Sequence, residues 1–168
     1  MGLQPTSAVG RRKRLPLALA AESRYVGRTV ASFSIEVLSA DPGRGKIVIG
    51  DFVECFELAL VDWSEADYRL SWRHALTELL ADVPAVALMT WCARPGTDIV
   101  RRGWTLHREN DALFVQERLF LPDAGRIDLD PTGRVLSVGP REATSDDGGP
   151  ISTWVTDLTA VREFLHTA

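Results

Sequence analysis

The sequence predicts an α+β domain: a mainly antiparallel β-sheet with one long helix packed on a face and a short C-terminal helix. Three observations carry this. Apolar and polar residues alternate through several short runs joined by Gly, Pro, Asn and Asp turns, as in strands linked by hairpins. One stretch, 63–84, switches to a period near 3.6. The chain then closes on a second, shorter helical pattern, and strands outnumber helices.

In chain order, "TVASFSIEVLSA" (29–40) alternates and ends at the turn "DPGRG". "KIVIGDFVECFELAL" (46–60) is expected to return as one long strand kinked near Gly50, since glycine inside a strand often marks a bulge. In 63–84, Ser64 is a good N-cap with Asp67 three residues on, and Pro84 follows the helix. Tyr68, Trp72, Ala75, Leu76 and Leu79 share one apolar stripe, while Glu65, Arg69, Arg73 and Glu78 face water. "AVALMTWCA" (85–93) is nearly all apolar and fits a central strand buried on both faces.

"DIVRRGWTLHRE" (98–109) and "ALFVQERLFLP" (112–122) flank Asn110-Asp111 and form a second hairpin. Short strands are expected at 126–130 and 134–138, around Pro131-Thr132-Gly133. A polar loop follows at 139–150, then a strand at 151–158 and a helix capped by Thr156 or Asp157.

A length of 168 residues suits one domain, predicted over 29–168. Residues 1–28 form a basic segment, expected to be a weakly ordered leader or to follow a start codon placed too far upstream. It resembles an export signal only superficially, because Leu15–Ala21 is short and broken by Pro16. That segment holds six basic side chains and one acid, so the other 13 basic and 22 acidic residues leave the body at −9. An acidic body is poorly suited to phosphate contacts and well suited to a basic partner. No run is long enough to cross a bilayer as a helix, so neither nucleic acid nor membrane is an expected partner. Cys55 and Cys92 lack metal-site spacing and are read as buried thiols of a cytoplasmic protein.

Catalytic signatures are weak. His74 belongs to the helix surface, His107 to a strand, and His166 lies near the C-terminus. "GRGKIVIG" leads into a strand, not a helix N-terminus, which rules out a P-loop. Carboxylates among Asp51, Glu54 and Glu57 could serve a small hydrolase or transferase together with His107. Strand alternation, however, puts Glu54 on the face opposite Asp51 and Glu57. No catalytic group, metal site or cofactor is expected. The acids either solvate a sheet face or present it to a partner, and a self-association through a sheet edge is a third possibility.

The run "IVIGDFVECFELALVDWSEADYRLSWRHAL" (47–76) resembles the immunity proteins of bacterial contact-dependent growth inhibition systems. The resemblance rests on Ile47, Ile49, Gly50, Asp51, Phe52, Glu54 and Phe56, then Trp63, Asp67, Tyr68, Trp72, Ala75 and Leu76. "GGPISTWVTDLTAVREFL" matches more loosely through Ile151, Ser152 and Trp154. The resemblance implies a non-enzymatic cytoplasmic protein, and a monomer or weak dimer is expected. Such a protein binds the C-terminal toxin domain of a cognate effector, a basic nuclease, and blocks its active site. Phe52, Phe56, Tyr68 and Trp72 are assigned to the core. The acids expected to meet the partner are Asp51, Glu54, Glu57, Asp62 and Glu65, with Asp123, Asp128, Asp130, Asp146 and Asp147 as alternatives.

Overall fold

The computed structural model describes residues 31–92, 101–120, 127–129, 135–145 and 147–167. The basic segment 1–28, the turn at 131–133, and Asp123, Asp130 and Asp146 lie outside them.

Three strands, β1 (Phe33–Ala40), β2 (Gly43–Ile49) and β3 (Phe52–Glu57), make an antiparallel meander, here called sheet A. The long strand expected over 46–60 is therefore two strands. Ile49 pairs with Phe52, leaving Gly50-Asp51 as a two-residue hairpin loop. Gly50 has φ +59°, the left-handed region open to glycine at the first position of such a loop. The turn is anchored from outside, as the Ser32 carbonyl accepts the Gly50 N–H at 2.9 Å.

Helix α1 (Glu65–Leu80) starts at a complete capping box: the Ser64 hydroxyl accepts from the Asp67 N–H, and the Asp67 carboxylate accepts from the Ser64 N–H. The expected stripe of Tyr68, Trp72, Ala75, Leu76 and Leu79 is buried. It meets both sheet A and sheet B, the latter built from β4 (Ala85–Trp91), β5 (Arg101–Glu109), β6 (Ala112–Phe120) and β9 (Trp154–Asp157) in the order β4-β5-β6-β9.

Strand β4 is an edge strand of that sheet rather than a central one, although Val86–Thr90 are buried throughout. Two covers explain this. Helix α1 lies on one side, its Trp72 Nε1 donating to the Met89 carbonyl at 2.7 Å and its Tyr68 hydroxyl accepting the Cys92 N–H at 3.2 Å. On the opposite face, Ala87, Met89 and Phe120 pack with Val135 and Val138. The two valines belong to a ribbon of β7 (Ile127–Leu129) and β8 (Val135–Val138).

Closing helix α2 (Leu158–Thr167) is capped by Asp157, whose Oδ1 accepts the Ala160 N–H at 2.8 Å. The Thr156 hydroxyl instead donates to the Ser32 carbonyl. The main core lies between sheet A and helices α1 and α2 on one side, and one face of sheet B on the other. Phe52 of β3 reaches across it, stacked on Trp154 at 4.1 Å and tilted against Trp104 at 6.0 Å.

Cys92 is buried, its thiol pushed up to about 11 by desolvation. Cys55 is exposed, contrary to the sequence expectation. In β3 the even positions Phe52, Glu54 and Phe56 turn inward, and Val53, Cys55 and Glu57 occupy the outer face, which no element covers among the described residues.

Candidate functional site

The five acids singled out from sequence sit in different environments. Asp51 is exposed in the β2–β3 turn and Glu57 is exposed at the other end of β3. Six residues of strand at about 3.3 Å each separate them by roughly 20 Å. Asp62 is half-buried in the loop before α1. Glu65, in the first turn of α1, is held by Arg69 at 2.6 Å in an i,i+4 pair and favours the helix N-terminus.

Glu54 differs. It points inward from β3 in the cross-strand row Ile35–Ile47–Glu54, toward sheet B. Desolvation raises its pKa from the ordinary glutamate value, the like charge of Glu117 raises it further, and Arg102 opposes both. Arg102 and Glu117 are neighbours on sheet B, with Arg102 Nε 3.8 Å from Glu117 Oε1. Glu54 thus lies within the electrostatic reach of the Arg102–Glu117 pair across the two sheets.

Beyond that pair no other element covers the face of sheet B among the described residues. Trp91, Arg102 and Leu119 stand opposite one another on β4, β5 and β6. Trp91 is 37% exposed and Leu119 59% exposed, both large apolar groups in water. Composition alone hides this surface, because Trp91 reads as part of a buried run and Leu119 as one more inward residue of a hairpin. A register shift between Met89 and Trp91 turns Trp91 onto the same face as Arg102 and Leu119, which strand alternation alone would not place there.

His107 is not part of this region. It lies in the row Ala85–His107–Phe114, on the other face of sheet B, and lines a cavity of about 70 Å³ with Thr105, Gln116 and Arg118. Burial lowers its pKa most, and the charges of Arg141 and Arg118 lower it further. A loop is lashed over that cavity: Arg118 pairs with Glu142, and Gln116 donates to the Glu142 carbonyl at 2.7 Å. Sheet B therefore separates His107 from the carboxylates at 51–57, which are not brought together with it. His74 sits on the helix surface, 2.9 Å from Glu78. His166 is exposed near the end of α2, its Nδ1 2.6 Å from the Arg162 carbonyl. No group of three or more metal-ligating side chains occurs among the described residues, and no described helix is long and apolar enough to cross a membrane.

The fold and sequence have clear relatives. Immunity protein CdiI of Enterobacter cloacae subsp. cloacae is 30% identical over 122 residues, which span 72% of this chain and 83% of the relative. Among solved structures, the CdiA-CT/CdiI toxin and immunity complex from Enterobacter cloacae matches with a TM-score of 0.64 at 28% identity. That match covers 80% of this chain and 97% of the solved one. The sequence model of the family described as the CdiI N-terminal domain matches residues 58–164. With most of both helices and all of sheet B inside that span, this chain belongs to the CdiI family of contact-dependent growth inhibition immunity proteins.

Proposed function

We propose that the protein is a non-catalytic cytoplasmic immunity protein that binds the C-terminal toxin domain of a cognate effector, a basic nuclease, and neutralises it by blocking its active site. The observation that supports this reading most is the likeness, in sequence and in fold, to an immunity protein solved together with its toxin. The charge balance points the same way. A nuclease site is lined with cations to hold phosphates, and a body at −9 is drawn to such a surface. Asp51, Glu54, Glu57, Asp62 and Glu65 are the acids proposed for that contact.

The test is co-expression of the chain with the toxin domain of the adjacent effector gene. The expected outcome is co-purification as a stoichiometric complex, survival of cells that otherwise die, and loss of nuclease activity on titration. A toxin domain that neither binds nor is inhibited refutes the reading. A hydrolase built on residues 51–57 with His107 finds no support in the geometry, since those groups lie on opposite sides of sheet B.

A further inference from the structure

We propose that the end of sheet B bearing the exposed row Trp91–Arg102–Leu119 is where the basic toxin domain docks, with Glu54 and Glu117 receiving a lysine or arginine from it. This rests on the immunity reading and goes beyond it by placing the contact.

The apolar part comes first. A tryptophan and a leucine stand in one cross-strand row on a pleated face, with Arg102 between them. Tryptophan and arginine are the side chains that most often dominate protein interfaces, and a strip that sheet A leaves open gives them room to be covered. The two apolar groups share the face of sheet B whose other rows are closed by sheet A, α1 and α2, so they stand side by side at the edge of the core, unlike the scattered exposed side chains elsewhere.

The polar part selects the partner. Glu117 lies 3.8 Å from Arg102, and Glu54, inward on the facing strand, feels the charges of both, so two acids meet one guanidinium at the rim of the strip. The Arg102–Glu117 separation of 3.8 Å is a loose contact rather than a closed hydrogen-bonded pair. A second cation would offset the repulsion between the two carboxylates. A basic toxin supplies that cation.

The larger groove between β1, α1 and α2, about 420 Å³, has the opposite sign, because Arg69 and Arg73 outnumber Glu36 at its walls. It does not suit the same partner.

Titration calorimetry of the full chain against its adjacent toxin domain reads the outcome. Trp91→Asp and Leu119→Asp are each expected to weaken binding by about 30-fold or more, the loss expected of an interface anchor. The double variant Glu54→Gln/Glu117→Gln is expected to slow association and flatten its salt dependence. Leu136→Asp, on exposed β8 at the other side of sheet B, serves as control and should bind like the parent. Amide exchange on the unmodified complex gives a second reading that needs no variant, with protection expected at 89–91, 102–104 and 117–119.

If the parent binds the toxin and the Trp91 and Leu119 variants bind equally well, or the footprint misses those segments, the surface is overturned while the immunity reading stands. An equal loss in Leu136→Asp also overturns it. If the parent does not bind at all, both fall.

Discussion

At the scale of single residues, buried polar groups decide more than the exposed acids do. The Tyr68 hydroxyl donates to the Ala59 carbonyl at 2.9 Å and accepts the Cys92 N–H at 3.2 Å, and burial pushes its pKa up to about 12. Tyr68→Phe strands both backbone groups and should cost about 1–3 kcal/mol in urea unfolding.

His107 predicts a pH dependence. Its folded pKa lies below the ordinary value of about 6.5, so an unfolded chain takes up a proton that the folded one refuses. Its contribution is complete above about pH 6.5 and is lost as pH falls toward the folded value. Melting curves between about pH 7.5 and 5.5 should therefore drop more steeply for the parent than for His107→Gln.

Glycines show how differently one residue type can be needed. At Gly50 an added Cβ would meet nothing within 4 Å, so the requirement is the φ of +59° alone. Gly50→Ala should cost about 1–2 kcal/mol, and Gly50→Asn less, because asparagine tolerates that backbone region. At Gly45 the conformation is ordinary, but the Cβ would lie 2.3 Å from the Phe56 ring.

At the scale of elements, legibility followed local signals. Helix α1 was readable because its cap, its stripe and its following proline all lie within 21 residues of sequence, and each agrees with the others. Ser64→Ala should cost about 1 kcal/mol by thermal or chemical denaturation, through loss of the cap. The β5–β6 hairpin was readable from Asn110, which takes φ 58° at the turn.

Gly50 was misread as a kink since a bulge and a tight turn share the same glycine. Deciding between them depends on Ile49 pairing with Phe52, a contact the spacing alone does not announce. Placing β4 at an edge was equally illegible. An apolar run reports burial on both faces, and here the burial comes from α1 and from a ribbon more than 40 residues later, not from two neighbouring strands. The exposure of Cys55 follows from strand parity in β3, which the two flanking phenylalanines obscured. Of the proposed acids, sequence parity did set Glu54 apart from Asp51 and Glu57, but not its closeness to Arg102 and Glu117, which belong to another sheet.

At the scale of the whole molecule, the acidic body predicts how the partner arrives. Stopped-flow association with a basic toxin domain should slow as ionic strength rises, while dissociation changes little. Salt-independent association would argue against steering by the overall charge.

One small junction has a consequence for the order of events in the cell. The Ser32 carbonyl accepts both the Gly50 N–H and the Thr156 hydroxyl, joining the first strand to the last across 124 positions. A ribosome has finished β1 through β6 before β9, the strand that completes sheet B and carries Trp154 into the core, leaves the exit tunnel. The emerging chain must therefore wait, with Phe52 and Trp104 unsealed by Trp154, until β9 has been made. A ribosome-bound chain halted before residue 154 should be cut by protease at low concentration, and one released after residue 167 should resist it. Protection of the cell would then begin only after β9 has joined the sheet, not when the earlier strands emerge.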